Sequence, residues 1–279
     1  MIQDFTYHCH TNFSDGSCSL EEMVGQARKI GFSHIGISDH LIVHKNIEQS
    51  PSWQIMTNRS GAHVYKKDFK STLPDYQKHC EEIRKLSRRE NFKILVGFEV
   101  DFFTYDGWLE EMKEFLAQLD YDYLISGNHF LFDSSCETIY NIDKRLSGII
   151  DKSKIQSLIS SHFKAVAESA KSGLFRFVAH LDYVRKMGTE FCGSSDFVAE
   201  KSKLLEALKI SGIGAEISTK GLRKIGDFYP DEWFLKKIKE QGIPMVISDD
   251  AHKVEELGFD FDKAEERLSE FGILNRIMF

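Results

Sequence analysis

The sequence predicts an α/β fold built on a parallel sheet, and two observations carry that prediction. Seven short apolar runs recur along the 279 residues, and stretches with helical spacing lie between them. Several runs, such as Ile94–Val96 and Met245–Ile247, are continuously apolar, as expected of strands covered on both faces. Strand and helix alternate from end to end, so the sheet is expected to be parallel with helices outside, either open or closed into a barrel.

The elements follow in order. A first strand is expected over Ile2–Tyr7. Leu20, Met23, Val24, Ala27 and Ile30 then follow the i, i+3, i+4, i+7 stripe of an amphipathic helix. Ser19 can cap it, with Glu22 three residues on as in a capping box. The second strand is His34–Ser38. Residues 41–72 have no sustained period and are read as a long loop. Tyr76, Cys80 and Ile83 mark a helix leading to the third strand, Phe92–Val100. A helix over about 108–118 precedes the fourth strand, Tyr121–Ser126. Residues 131–150 again fit the alternation poorly. Beyond them come a helix over 153–172, the strand Arg176–Ala179, a helix over 196–210 and the strand Gly214–Ser218. A helix over 231–241, the strand Pro244–Ser248 and a helix over 262–271 complete the chain. With no Pro/Ser/Gly-rich linker and no internal repeat, residues 1–279 are expected to form one domain, with 41–72 as a lid loop.

Composition narrows the function classes. Apolar residues make up 42% and charged residues 28%, as in soluble globular chains. Lys plus Arg is 36 against 43 for Asp plus Glu, a net charge of −7, which disfavours general nucleic-acid binding. No window approaches the ~18 consecutive apolar residues of a membrane span, so no membrane partner is expected. The start, MIQDFTYHCH, has neither the basic nor the apolar region of a signal peptide. Cys9, Cys18, Cys80, Cys136 and Cys192 form no C-x-x-C pair. A cytoplasmic protein with reduced thiols is expected.

The informative polar residues fall where the strands end. These are His8 and His10, Asp39 and His40, Glu99 and Asp101, His129, His180, and Asp250 and His252. In a parallel α/β fold the C-terminal strand ends share one edge, where active sites form. Residues i and i+2 of an extended segment point the same way, so His8 with His10, and Asp250 with His252, can reach one centre. Imidazole with carboxylate suits Zn, Fe or Mn. The donors exceed the four that one zinc ion takes, so two or three divalent ions sharing a carboxylate are expected. A lone histidine beside an apolar run is usually structural, and His34, His44, His63, His79 and His162 are read so, with His44 the nearest to an exception.

The run His8-Cys9-His10-Thr11 through Asp15-Gly16, then Ser38-Asp39-His40, Gly97-Phe98-Glu99, His129, His180 and Asp250-Ala251-His252, resembles the PHP (polymerase and histidinol phosphatase) family. The GFEVDF, SGNHF and STKGLRK segments are most similar to its stand-alone histidinol-phosphatase branch. The resemblance implies a distorted barrel of seven strands and seven helices with a trinuclear site at the C-terminal strand ends. It implies one ion on His8, His10, Glu99 and Asp250, a second on Glu99, His129 and His180, and a third on Asp15, His40 and His252. Glu99 would bridge.

The implied activity is hydrolysis of L-histidinol phosphate in histidine biosynthesis. Clustered cations neutralise the phosphate oxygens and bring a bound water toward a pKa of about 7. Glu99 is then a catalytic candidate as the bridging carboxylate. Asp250 and His252 are candidates to protonate the leaving alkoxide. Arg185 and Arg223 are candidates to hold the phosphate. Two alternatives stay open: another small phosphate ester as substrate, and a metal-binding domain without turnover.

Overall fold

The computed structural model describes residues 2–278. Its elements are β1 (Phe5–Thr6), α1 (Leu20–Lys29), β2 (His34–Ile37), β3 (His40–Val43), α2 (Trp53–Ser60), β4 (Tyr65–Lys66) and α3 (Phe69–Glu90). They continue with β5 (Lys93–Val100), α4 (Trp108–Leu116), β6 (Tyr123–Ser126), β7 (Phe130–Asp133), β8 (Thr138–Asn141), α5 (Lys152–Lys171) and β9 (Phe177–Val178). The remainder are α6 (Val198–Ser211), β10 (Gly214–Ser218), α7 (Lys220–Ile225), α8 (Glu232–Gln241), β11 (Met245–Ser248) and α9 (Phe261–Glu270).

The main sheet runs β1-β2-β5-β6-β9-β10-β11, and every neighbouring pair in it is parallel. Its two ends meet. Cys9 and Ala251 form a parallel bridge, and the His10 amide donates to the Ala251 carbonyl at 2.8 Å. The Gln3 side chain donates to the Ile247 carbonyl at 2.7 Å. The sheet is therefore a nearly closed, distorted barrel with helices outside, and its seven strands are the seven apolar runs of the sequence.

Two glycines shape the interior. Tyr123 fills the barrel with Phe5, Tyr7, Ile125, Phe177 and Val246. A Cβ at Gly36 or Gly97 would collide with the Tyr123 ring, so the neighbouring strands give up side chains to admit it. Outside, α1 shows the expected capping box. The Ser19 amide donates to Glu22 Oε2 at 2.8 Å, and the Glu22 amide donates to Ser19 Oγ at 3.2 Å. The helix buries Leu20, Met23, Val24 and Ala27, each large side chain contributing about 1.5–3 kcal/mol. Ile30 is its C-terminal cap and 41% exposed, so the apolar stripe ends a turn earlier than predicted.

Residues 41–72 are not a loop. They contain β3, which pairs with β5, then a 3₁₀ turn at Ile47–Gln49, α2, a second 3₁₀ turn at Ala62–Val64, β4 and the start of α3. The 131–150 segment is likewise ordered, as the β7–β8 antiparallel hairpin and a 3₁₀ helix at Lys144–Gly148. Most of these elements have two to eight residues, too few to display a period. None of the helices in the described residues is long and apolar enough to cross a membrane.

Candidate metal centre

The C-terminal edge of the barrel gathers the predicted side chains. His8 and His10 follow β1, His40 opens β3, Glu99 lies near the end of β5, and His129 follows β6. His180 follows β9, and Asp250 and His252 follow β11. Glu99 stands at the centre. Its Oε2 lies 3.2 Å from His8 Nε2, 3.4 Å from His10 Nε2 and 3.0 Å from His40 Nδ1. Its Oε1 lies 2.9 Å from His180 Nε2 and 3.4 Å from His129 Nε2. Asp250 Oδ1 is 3.1 Å from His10 Nε2 and 3.6 Å from His8 Nε2. Asp15 Oδ1 lies 3.2 Å from His40 Nε2 and 3.0 Å from His252 Nε2.

Local backbone aims these groups. His180, Asp250 and Asn128 have positive φ values of 28°, 45° and 55°, conformations that non-glycine residues adopt at a cost and that cluster at functional sites. Gly127 cannot carry a side chain, since a Cβ would stand 2.7 Å from Glu99 Oε1 and 2.8 Å from His129 Cε1.

Supporting carboxylates fix the rings. Glu216 Oε2 is 2.7 Å from His8 Nδ1, and Asp101 Oδ2 is 3.0 Å from His129 Nδ1. In each case the second ring nitrogen is left facing Glu99, the arrangement that orients metal-binding imidazoles. Asp39 plays a different part. It accepts from the Thr11 amide and hydroxyl, both at 2.7 Å, and from Ser14 Oγ at 2.5 Å. It therefore fixes the turn that presents Asp15. His79, 3.0 Å from Asp39 and stacked on Phe13, belongs to that support. His34, His44, His63 and His162 each bond locally outside the ligand cluster.

The donors fit divalent ions. Four groupings bring ligand atoms within 4.8 Å of one another: His10-Asp15-His40-His252, His8-His180-Asp250, His8-His10-Glu99 and His40-Glu99-His129. His8 Nε2, both ring nitrogens of His10, Glu99 Oε2, Asp250 Oδ1, Asp15 Oδ1 and His252 Nε2 are buried without a hydrogen-bond partner. Buried polar atoms are ordinarily satisfied, and so many orphans in one place are what a set of metal donors looks like. Electrostatics agrees. Burial disfavours ionised Glu99, but the charges of His8, His129 and His40 outweigh it and hold the carboxyl well below its ordinary range. Burial likewise opposes ionisation of Asp250, and Lys220 and His8 outweigh it. Burial, with His252 and His40 nearby, pushes His10 down to about 3, the neutral form that ligates metal.

A cation other than the two expected, Lys220, stands nearest the proposed ligands. Arg185 is committed elsewhere, to Asp227 at 2.6 Å, the Phe228 carbonyl at 2.8 Å and Asp182 at 3.4 Å. Arg223 donates to the Asp249 carbonyl at 2.7 Å and lies 3.6 Å from Glu256. Among the described residues neither guanidinium lies within ion-pair distance of a proposed ligand. Lys220 does, with its ammonium 2.7 Å from Asp250 Oδ2. Lys186 Nζ lies 2.9 Å from the Tyr183 hydroxyl, and the Tyr183 ring packs on His180 and His129 at 4.6 and 4.9 Å. Arg59 lines a cleft with Asp15, His40 and His129. Burial alone would raise the Tyr183 hydroxyl, yet Lys186, Arg59, His129 and Lys220 hold it well below its ordinary value. Lys186, Arg59 and Lys220 place positive charge on this side of the cluster.

The sequence profile of the PHP domain matches residues 6–220. The chain belongs to the PHP domain family. Among curated proteins, the "Probable histidinol-phosphatase" of Deinococcus radiodurans is 25% identical over 95% of this chain and 92% of its own length. The histidinol-phosphatase of Bacillus subtilis is 25% identical over 93% of this chain and 97% of its own. Among solved structures, the Lactococcus lactis histidinol phosphate phosphatase, complexed with zinc, L-histidinol and phosphate, superposes with a TM-score of 0.72. It is 19% identical and covers 100% of this chain and 97% of its own. This PHP chain thus shares the barrel fold of that enzyme.

Proposed function

We infer that the protein is a cytoplasmic, divalent-metal-dependent phosphomonoesterase that hydrolyses L-histidinol phosphate to L-histidinol and phosphate in histidine biosynthesis. The observation that carries this reading is the buried, unpartnered donor set at Glu99 under a positive rim. Full-length resemblance to histidinol-phosphatases supports the substrate.

His8, His10, Asp15, His40, Glu99, His129, His180, Asp250 and His252 would hold two or three ions of Zn, Fe or Mn. Bound there, the ions neutralise phosphate oxygens and make water nucleophilic near neutral pH. The chain's own residues do the rest. Lys186, Lys220 and Arg59 supply the positive charge that receives the phosphate, in place of Arg185 and Arg223. The leaving alkoxide takes its proton from His252, the more exposed of the pair, while the ionised Asp250, 3.4 Å away, orients that ring. Residues 1–279 act as one domain, and the folded 41–72 segment covers the site.

Phosphate release from a panel of monoesters, measured on metal-loaded protein, tests the reading. L-histidinol phosphate should exceed nucleotide and sugar phosphates in kcat/KM by at least about 10²-fold, the discrimination that buried polar recognition allows. Preference for a nucleotide or sugar ester would reassign the substrate, and no release from any ester would leave only a metal-binding domain.

A further inference from the structure

The proposed ligands are supported from two directions. His8 and His129 are backed from within the barrel, by Glu216 on β10 and by Asp101 just beyond β5. His40 is not open to backing of that kind. Its Nδ1 faces Glu99 at 3.0 Å and its Nε2 faces Asp15 at 3.2 Å, so neither ring nitrogen is left for a supporting group. The ring is placed through its backbone instead, where the Tyr76 hydroxyl on α3 donates to the His40 carbonyl. Asp15 is held from the same side. Ser60 Oγ, at the end of α2, donates to Asp15 Oδ2 at 2.8 Å, which leaves Oδ1 turned to His40 and His252.

One turn along α3 from Tyr76, His79 reaches Asp39, the carboxylate that gathers Thr11 and Ser14. Positions i and i+3 share a helix face, and Phe13 packs against both. Its ring stacks on His79 at 3.8 Å and stands edge-on to Tyr76 at 5.0 Å. Tyr76 and His79 are both buried. Helix α3 thus grips the Asp15 turn through Phe13 and Asp39, and the start of β3 through the His40 carbonyl. Asp15 and His40 are two of the four donors in the His10-Asp15-His40-His252 grouping.

We propose that Tyr76 and His79 are positioning residues for the ion of that grouping, which binds and leaves separately from the ions backed within the barrel. The assignment rests on the multinuclear reading of the site. Equilibrium dialysis of the whole chain against stepped free Mn, with bound metal counted by elemental analysis, resolves the binding steps. The step lost in Asp15→Ala marks the ion in question. Tyr76→Phe, which removes only the hydroxyl, and His79→Leu should each weaken that step about 10- to 100-fold, the usual effect of removing a ligand's outer partner, and leave the other steps within about threefold. His79→Gln, which returns an N–H to Asp39, should recover most of the affinity. The tyrosine variant alone decides the matter should the leucine variant not fold. Unchanged affinity at the marked step, or equal weakening of every step, overturns the positioning role. A wild-type chain that binds no more than one ion overturns the multinuclear reading instead, whatever the variants do.

Discussion

At the scale of single residues, Glu99 and Lys186 separate what the sequence discloses from what it hides. Glu99 touches five imidazoles through its two oxygens, so Glu99→Gln removes the charge that holds the cluster together. The expected loss is at least about 10²-fold in kcat, and steady-state kinetics on a variant with confirmed metal content checks it. Its place among the imidazoles was legible because strand-end histidines and acids are rare enough to stand out together. Lys186 was not. A lone lysine in a short helix looks like a surface residue, and Arg185 beside it looks the better phosphate ligand. In the 3₁₀ turn Tyr183–Met187, consecutive side chains point about 120° apart. Lys186 therefore reaches Tyr183 while Arg185 turns to Asp227. Lys186→Ala should cost about 1.5–3 kcal/mol in phosphate handling, or roughly 10- to 150-fold in kcat/KM. Elemental analysis should find its metals retained, and loss of metal would instead give Lys186 a structural part.

At the scale of elements, the barrel strands were legible because continuous apolar runs survive any register, whereas the covering segments were not. In α2 only Met56 and Ser60 are buried, which leaves no stripe to detect. The start of α3 was hidden by Pro74, which a helix interior normally rejects, although Asp68 caps that helix by accepting from the Ser71 amide at 2.8 Å. Helix α5 carries a testable electrostatic feature. His162 on it is buried, and burial pushes its pKa down to about 4. The unfolded chain binds that proton near pH 6.5, so between about 6.5 and 4 the unfolded state holds more protons. Stability is therefore flat above pH 7 and falls as the medium is acidified through that window. For this group the loss is about 2 kcal/mol between pH 7.5 and pH 5. Urea unfolding of wild type and His162→Gln at both pH values measures it. The variant should lose correspondingly less on acidification, and an identical loss would remove His162 from the account.

At the scale of the whole molecule, the proposed ligands come from nearly every strand end of the barrel, so ions there would join its first and last strands. Anything that binds the folded state alone stabilises it, by about 4 kcal/mol when the ligand stands at a thousand times its Kd. Chelation should accordingly lower the melting temperature, and readdition of Zn or Mn should restore it. An unchanged melting curve after verified metal removal would argue against ions that bridge the barrel. The same titration reaches the chemistry. Chelator-stripped protein receives Zn or Mn in steps, the bound ions per chain are counted by elemental analysis, and phosphate release from L-histidinol phosphate is followed at each step. The multinuclear site predicts no turnover in the stripped protein and full activity only above one ion per chain, whereas full activity at one ion or none would contradict it.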